Sequence, residues 1–135
     1  MIAGRFTNDG LPIIECTVSL PRFGLSGQVT FLVDTGSDTT ILHPDAAGDL
    51  GCPFDLLDNP AEFISAGGAL LYYIEPAVLS FNHVDGGTAE FVIDISVAKP
   101  DPVTDDLASL LGRDVLNQVR MEYDFPRGSL ALHQE

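Results

Sequence analysis

The sequence predicts an all-β domain of short, hairpin-connected strands with one short helix near the C-terminal end, and three observations carry that expectation. Ile14, Cys16, Val18 and Leu20 alternate with Ile13, Glu15, Thr17 and Ser19, the period of two that marks a half-buried strand. A Gly67-Gly68 pair stands between the arms Ala61 to Ala66 and Ala69 to Glu75, and such a pair supplies the positive backbone angles of a tight two-residue turn. From Leu110 to Val119 the period lengthens, placing Val115, Leu116 and Val119 on one helical face.

The remaining elements follow in order. Pro21 to Gly27 supplies turn residues, and Gln28 to Val33 is the return strand of a hairpin that ends at Asp34. His43 to Gly51 reads as one or two helical turns, with Pro44 near the start and a glycine to stop it. Ala77 to His83 and Thr88 to Val97 pair around Val84-Asp85-Gly86-Gly87. Lys99 to Asp106 is a polar, proline-punctuated loop, read as an internal connection because the segment after it is too short to fold alone. Met121 to Phe125 alternates again, and Pro126-Arg127-Gly128 turns it into Ser129 to Leu132. Residues 1–135 therefore fit one domain, long enough to bury roughly two thirds of its unfolded surface.

Composition narrows the function classes. A hydrophobic content of 45% belongs to a globular chain, not to an acidic disordered tail. Six Lys and Arg against twenty Asp and Glu leave a net charge of -14, which argues against nucleic acid or an anionic membrane as partner. No apolar run approaches the roughly eighteen residues of a membrane span, and Met1 to Arg5 lacks an apolar signal core, so a cytoplasmic location is expected. Cys16 and Cys52 are expected to be free, buried thiols. His43, His83 and His133 are scattered, no Cys/His cluster has metal-ligand spacing, and neither metal nor cofactor is expected.

The chemistry concentrates between Phe31 and Leu42. Phe31, Leu32 and Val33 read as a buried strand that delivers the Asp34 carboxylate into a short turn, Thr35-Gly36-Ser37, and an apolar pair, Ile41-Leu42, follows. An isolated buried carboxylate is costly, so this placement calls for a partner group. Asp-Thr-Gly is also ordinary turn chemistry, and the tripeptide alone decides nothing.

Three stretches together give the chain a likeness: Phe31 to Leu42 with Asp34-Thr35-Gly36-Ser37-Asp38, the Gly67-Gly68 hairpin, and Leu110-Leu111-Gly112-Arg113-Asp114-Val115-Leu116 before the final strands. In order and spacing they resemble the retroviral-type (retropepsin-like) aspartic protease family over about Leu11 to Leu132. The resemblance implies a small closed β-barrel with a flap hairpin, acting as an aspartic endopeptidase on a polypeptide substrate. It implies a homodimer in which each copy contributes one Asp34. The chain has one Asp-Thr-Gly and is too short for two lobes, so a second copy is required. Two carboxylates holding one proton serve peptide hydrolysis as base and acid at once.

Further roles follow from that resemblance. Gly36 lets backbone approach the carboxylates, Ser37 is expected to donate a hydrogen bond to the carboxylate, and Thr35 to grip the partner's loop. Asp38 and Arg113, the latter after Gly112, are expected to pair near the dimer interface, and Gly67 and Gly68 to close over substrate. Tyr72 and Tyr73 are read as packing residues of the hairpin, with lining of the cleft as the alternative. Residues between Leu42 and Phe63 and the Lys99 to Asp106 loop look like insertions relative to the family.

Two other classes compete. A catalytically inactive retropepsin-like module would bind an extended peptide by strand pairing, but a dead homologue tends to lose the carboxylate and its glycine, and both remain. Phosphoryl transfer from a strand-terminal Asp needs more carboxylates and a lysine near the phosphate; Lys99 is the single lysine. Calcium binding lacks the alternating oxygen ligands of a twelve-residue loop.

Overall fold

Ile14, Cys16, Val18 and Leu20 turn into one interior because they share a face of β3 (Pro12–Leu20), and each is almost fully buried. The computed structural model describes residues 1–65 and 68–134, the side chains of residues 64, 65, 68 and 69 excepted. Two short strands, β1 (Ile2–Ala3) and β2 (Arg5–Phe6), precede β3. The chain reverses through a 3-10 turn at Pro21–Phe23 into β4 (Leu25–Val33). The return strand begins at Leu25, earlier than the expected Gln28, because Gly24 completes the reversal at φ 64°, a left-handed angle glycine adopts at no steric cost.

After β5 (Ile41–Leu42) comes the helix α1 (Pro44–Asp49), followed by a 3-10 turn at Phe54–Leu56. Strands β6 (Pro60–Ser65) and β7 (Gly68–Asn82) form the next hairpin, and β8 (Thr88–Val97) pairs along β7 from Tyr73 to Asn82. Strand β9 (Ser109–Leu111), helix α2 (Arg113–Leu116), β10 (Arg120–Asp124) and β11 (Ser129–His133) complete the chain.

The strands β3, β4, β9, β5, β8 and β7 are hydrogen-bonded in that order, and β7 pairs back onto β3 through Val78 to Ser80. That last pairing closes a six-stranded barrel. β2 adds to the β3 edge, β6 to the β7 edge, and β1, β11 and β10 form a separate antiparallel sheet. Phe31, Leu79, Phe81, Ile95 and Leu111 fill the barrel core. The fold is all-β, as expected, with short helices only. Cys16 and Cys52 are buried and unpaired within it. Among the described residues no helix is long and apolar enough to cross a membrane.

Three expectations of detail need correction. The segments on either side of Pro76 are one strand, β7, not two. Pro76 pairs with Asp94 of β8, and on its other edge β6 has ended at Tyr73 while β3 begins only at Val78, so its missing N–H leaves no ladder bond unmade. Gly68 is not a turn residue: it pairs with Ser65 inside the strand, while residue 67 lies outside the described residues. The C-terminal helix α2 is a single turn, with Val119 beyond its end.

Candidate active site

Asp34 is placed by two neighbouring strands. β4 and β9 run parallel, Phe31 to Val33 against Ser109 to Leu111, and the Asp34 N–H extends the ladder by donating to the Leu111 carbonyl at 3.0 Å. Burying Phe31, Val33 and Leu111 therefore fixes where the carboxylate emerges. The loop then turns at once, with Ser37 N–H donating to the Asp34 carbonyl at 3.2 Å. Asp34 is half-buried, not buried, at the rim of the barrel.

Gly36 lies against the Asp34 carboxylate. Its N–H donates to Asp34 Oδ1 at 2.9 Å, and a Cβ there would sit 3.1 Å from the same oxygen. The hydroxyl of Ser37 behaves differently from the expectation: it donates to the Thr39 carbonyl at 2.7 Å and not to Asp34. The reason is local, since a hydroxyl two residues from a turn carbonyl satisfies that carbonyl first. Thr35 is exposed, and its carbonyl accepts from Arg113 Nη1 at 2.7 Å. The other arm of the Arg113 guanidinium pairs with Asp38. One arginine thus bridges both sides of the Asp34 turn.

The second motif packs directly beneath the first. Arg113 N–H donates to the Ser37 carbonyl at 2.9 Å and Gly112 N–H to Thr40 Oγ1 at 3.1 Å. Gly112 has no room for a side chain, because a Cβ would lie 2.3 Å from the Thr39 carbonyl oxygen. Asp114, absent from the expected set, caps Thr40: its carboxylate accepts from the Thr40 N–H at 2.9 Å and from its hydroxyl at 2.7 Å. Thr40 and Asp114 both stood inside the quoted motifs, and that membership was the available signal.

A cleft of about 310 Å³ opens over Asp34, floored by Gly36 and Thr39 and walled by Ile41, Phe63, Tyr72 and Leu110. It lies at the bottom of the usual range for ligand clefts, roughly 300–1,000 Å³. The two tyrosines face opposite ways because neighbours on a strand alternate. Tyr72 turns into the cleft, and Tyr73 turns out, where Lys99 Nζ sits 4.3 Å from its ring centroid. Behind Tyr72 lies His43, a buried residue that sequence spacing did not single out. Its Nδ1 meets the Ala108 carbonyl at 2.7 Å, its Nε2 meets the Tyr72 hydroxyl at 3.3 Å, and burial lowers its pKa.

No protein-family model matches the chain, and no curated protein matches it either. Among solved structures the chain is similar to a retropepsin-like aspartic protease from Rickettsia conorii, with a TM-score of 0.58 and 24% sequence identity. The alignment covers 99% of this chain and 89% of that one. The likeness extends over the whole barrel, and at that identity it shows that the two chains share a fold.

Proposed function

We propose that the chain is half of an aspartic endopeptidase and that a homodimer completes it. The observation that carries this reading is the state of the carboxylates around the cleft. Among the described residues, Asp34 is held by a backbone amide and has no cation partner, whereas Asp38, the other acid on the cleft, is engaged by Arg113. One chain therefore offers one available carboxylate where the chemistry asks for two. A second copy supplies the other across a shared cleft.

In that arrangement the two Asp34 carboxylates hold one proton, since like charges that close do not both ionise. The ionised one takes a proton from water as the water oxygen bonds to the peptide carbonyl carbon, and the protonated one gives its proton to the carbonyl oxygen. Collapse of the tetrahedral diol breaks the C–N bond, and the amine leaves with a proton returned by the pair. No covalent enzyme intermediate is involved. The β6–β7 hairpin is the flap in this reading, and it excludes water from the cleft.

Thr35, Asp38 and Arg113 sit together on the exposed side of the Asp34 turn, and in the dimer they face the partner's equivalent loop. The test is cleavage of a random peptide library by the purified chain, with and without an aspartic-protease inhibitor such as pepstatin, beside an Asp34→Asn variant. Inhibitor-sensitive cleavage that Asp34→Asn removes, with an unchanged circular dichroism spectrum, is the expected result. Cleavage retained by Asp34→Asn rejects the assignment.

A further inference from the structure

His43 occupies a junction of three segments that meet behind the cleft. Its backbone N–H donates to Ser109 Oγ at 3.0 Å, at the start of β9, two residues before the Leu111 carbonyl that receives Asp34. Its Nδ1 contacts the Ala108 carbonyl at 2.7 Å, and because a carbonyl only accepts, the proton of a neutral ring must sit on Nδ1. Nε2 is then a bare lone pair, and the group facing it is the Tyr72 hydroxyl at 3.3 Å. A phenol donating to that lone pair is the one arrangement that satisfies both nitrogens and the hydroxyl. Both residues are nearly inaccessible to water, His43 at 3% and Tyr72 at 5%, so neither has a solvent alternative.

The Tyr72 ring does two jobs on the cleft side. It forms part of the wall beside Asp34, and it packs edge-on against Phe63 of the opposite hairpin arm, ring centroids 5.0 Å apart. Tyr72 lies directly opposite Ala61 in the β6–β7 ladder, so whatever fixes Tyr72 fixes both arms at that level. The ring also meets the imidazole in an edge-type arrangement, centroids 5.9 Å apart. The only tie between Tyr72's polar end and the barrel, among the described residues, is His43.

We propose that His43 is a positioning residue: by accepting the Tyr72 hydroxyl proton at Nε2, it anchors the β6–β7 hairpin to the barrel and fixes the apolar wall of the Asp34 cleft. The inference rests on the cleft being the substrate site. Removing the acceptor lets the hairpin stem part from the barrel and blurs the wall against which a large apolar side chain next to the cut would pack. Binding of such a side chain suffers, while the reacting groups at Asp34, held by a separate set of bonds, keep their places.

Two substitutions separate the halves of the imidazole. His43→Asn keeps a donor near the Nδ1 position for Ala108 and deletes the acceptor, whereas His43→Gln extends a carbonyl oxygen towards the Nε2 position. Tyr72→Phe removes the hydroxyl alone. The experiment measures amide hydrogen exchange along the hairpin, residues 61–63 and 70–73, together with kcat and KM on peptide pairs that carry Phe or Ala beside the cut.

Exchange about five-fold faster in the hairpin stem is expected for His43→Asn and Tyr72→Phe, with β4 and β9 unchanged and His43→Gln near the parent. KM for the Phe peptide should rise by a similar factor with kcat little altered, and the Ala peptide should be indifferent. Equal exchange in all four proteins, or loss of protection spread evenly over the barrel, overturns the proposal. If the parent cleaves no peptide, the endopeptidase reading fails by itself, and the exchange pattern still decides whether His43 anchors the hairpin.

Discussion

Asp114 holds Thr40 by two hydrogen bonds, Oδ2 accepting the backbone N–H and Oδ1 the hydroxyl, and so joins the turn of α2 to the end of the Asp34 loop. Thr40 is fully buried, and its hydroxyl oxygen also accepts the Gly112 N–H. The carboxylate is therefore the single acceptor for two donors that water does not reach. Asp114→Ala leaves both unmade, and a cost of about 3 kcal/mol is expected from buried donors that lose a charged acceptor. Denaturant unfolding measures it; a loss below about 1 kcal/mol means that water or a neighbour takes over the donors.

Gly112→Ala tests the contact between the two motifs from the steric side. The φ of Gly112 is -99°, an angle any residue adopts, so backbone conformation is no obstacle. Space is: the added methyl would lie 2.3 Å from the Thr39 carbonyl oxygen and 2.9 Å from that of Ser37, both backbone atoms of the Asp34 loop. Neither can swing aside as a side-chain tip can. The substitution should cost about 3 kcal/mol and abolish the proposed peptide cleavage by pushing the loop off β9. Gly27→Ala is the control, because its added methyl meets only the flexible end of Leu50, at 2.6 Å.

What could be read from the chain differs from what could not by the range of the interaction. β3 was legible because Ile14, Cys16, Val18 and Leu20 encode burial with a period that needs no partner to be recognised. The Asp34 turn was legible because strand, carboxylate and glycine are consecutive. Ser37 was misread because two acceptors lie within its reach and only coordinates separate the Asp34 carboxylate from the Thr39 carbonyl. The strands read as ending at Glu75 and starting again at Ala77 run on through Pro76 because the edge it faces is empty, a property of β3 and β6 rather than of Pro76. His43 was invisible for the same reason: its partners, Tyr72, Ala108 and Ser109, are 29, 65 and 66 residues away.

The buried imidazole also carries a pH prediction. Burial lowers the His43 pKa from its ordinary 6.5, against a smaller raising effect of the Ala108 carbonyl. Well above 6.5 the ring is neutral in folded and unfolded chains alike and its bonds contribute fully. As pH falls below 6.5 the unfolded chain binds a proton that the folded chain resists, so stability is lost until the folded value is passed. Glu122, lowered first by the Ser129 hydroxyl, acts the same way in a lower window, below about 4.5. Fading of the -14 net charge opposes both, but it does so equally in a His43→Gln variant. The parent should therefore lose more in Tm between pH 7 and 5 than His43→Gln does, and parallel curves in thermal melts rule the imidazole out as the cause.

Charge sets the conditions under which the proposed homodimer forms. Each copy carries -14, so a pair carries twice that, -28, and association at neutral pH works against its own field. Close to the Asp34 turn one cation, Arg113, is spent on Asp38 and on the Thr35 carbonyl, which leaves it little to offer a partner's acid. Screening shortens the reach of the repulsion from about 10 Å at 0.1 M salt to about 3 Å at 1 M. Specific activity should accordingly rise with protein concentration, and the half-maximal concentration should fall as salt is raised. Sedimentation run beside the assay links the two, because the activity curve and the dimer fraction must move together. Full activity from a species that sediments as a monomer at every salt concentration refutes the two-copy site. A dimer that forms while activity stays flat places the missing carboxylate elsewhere in the chain.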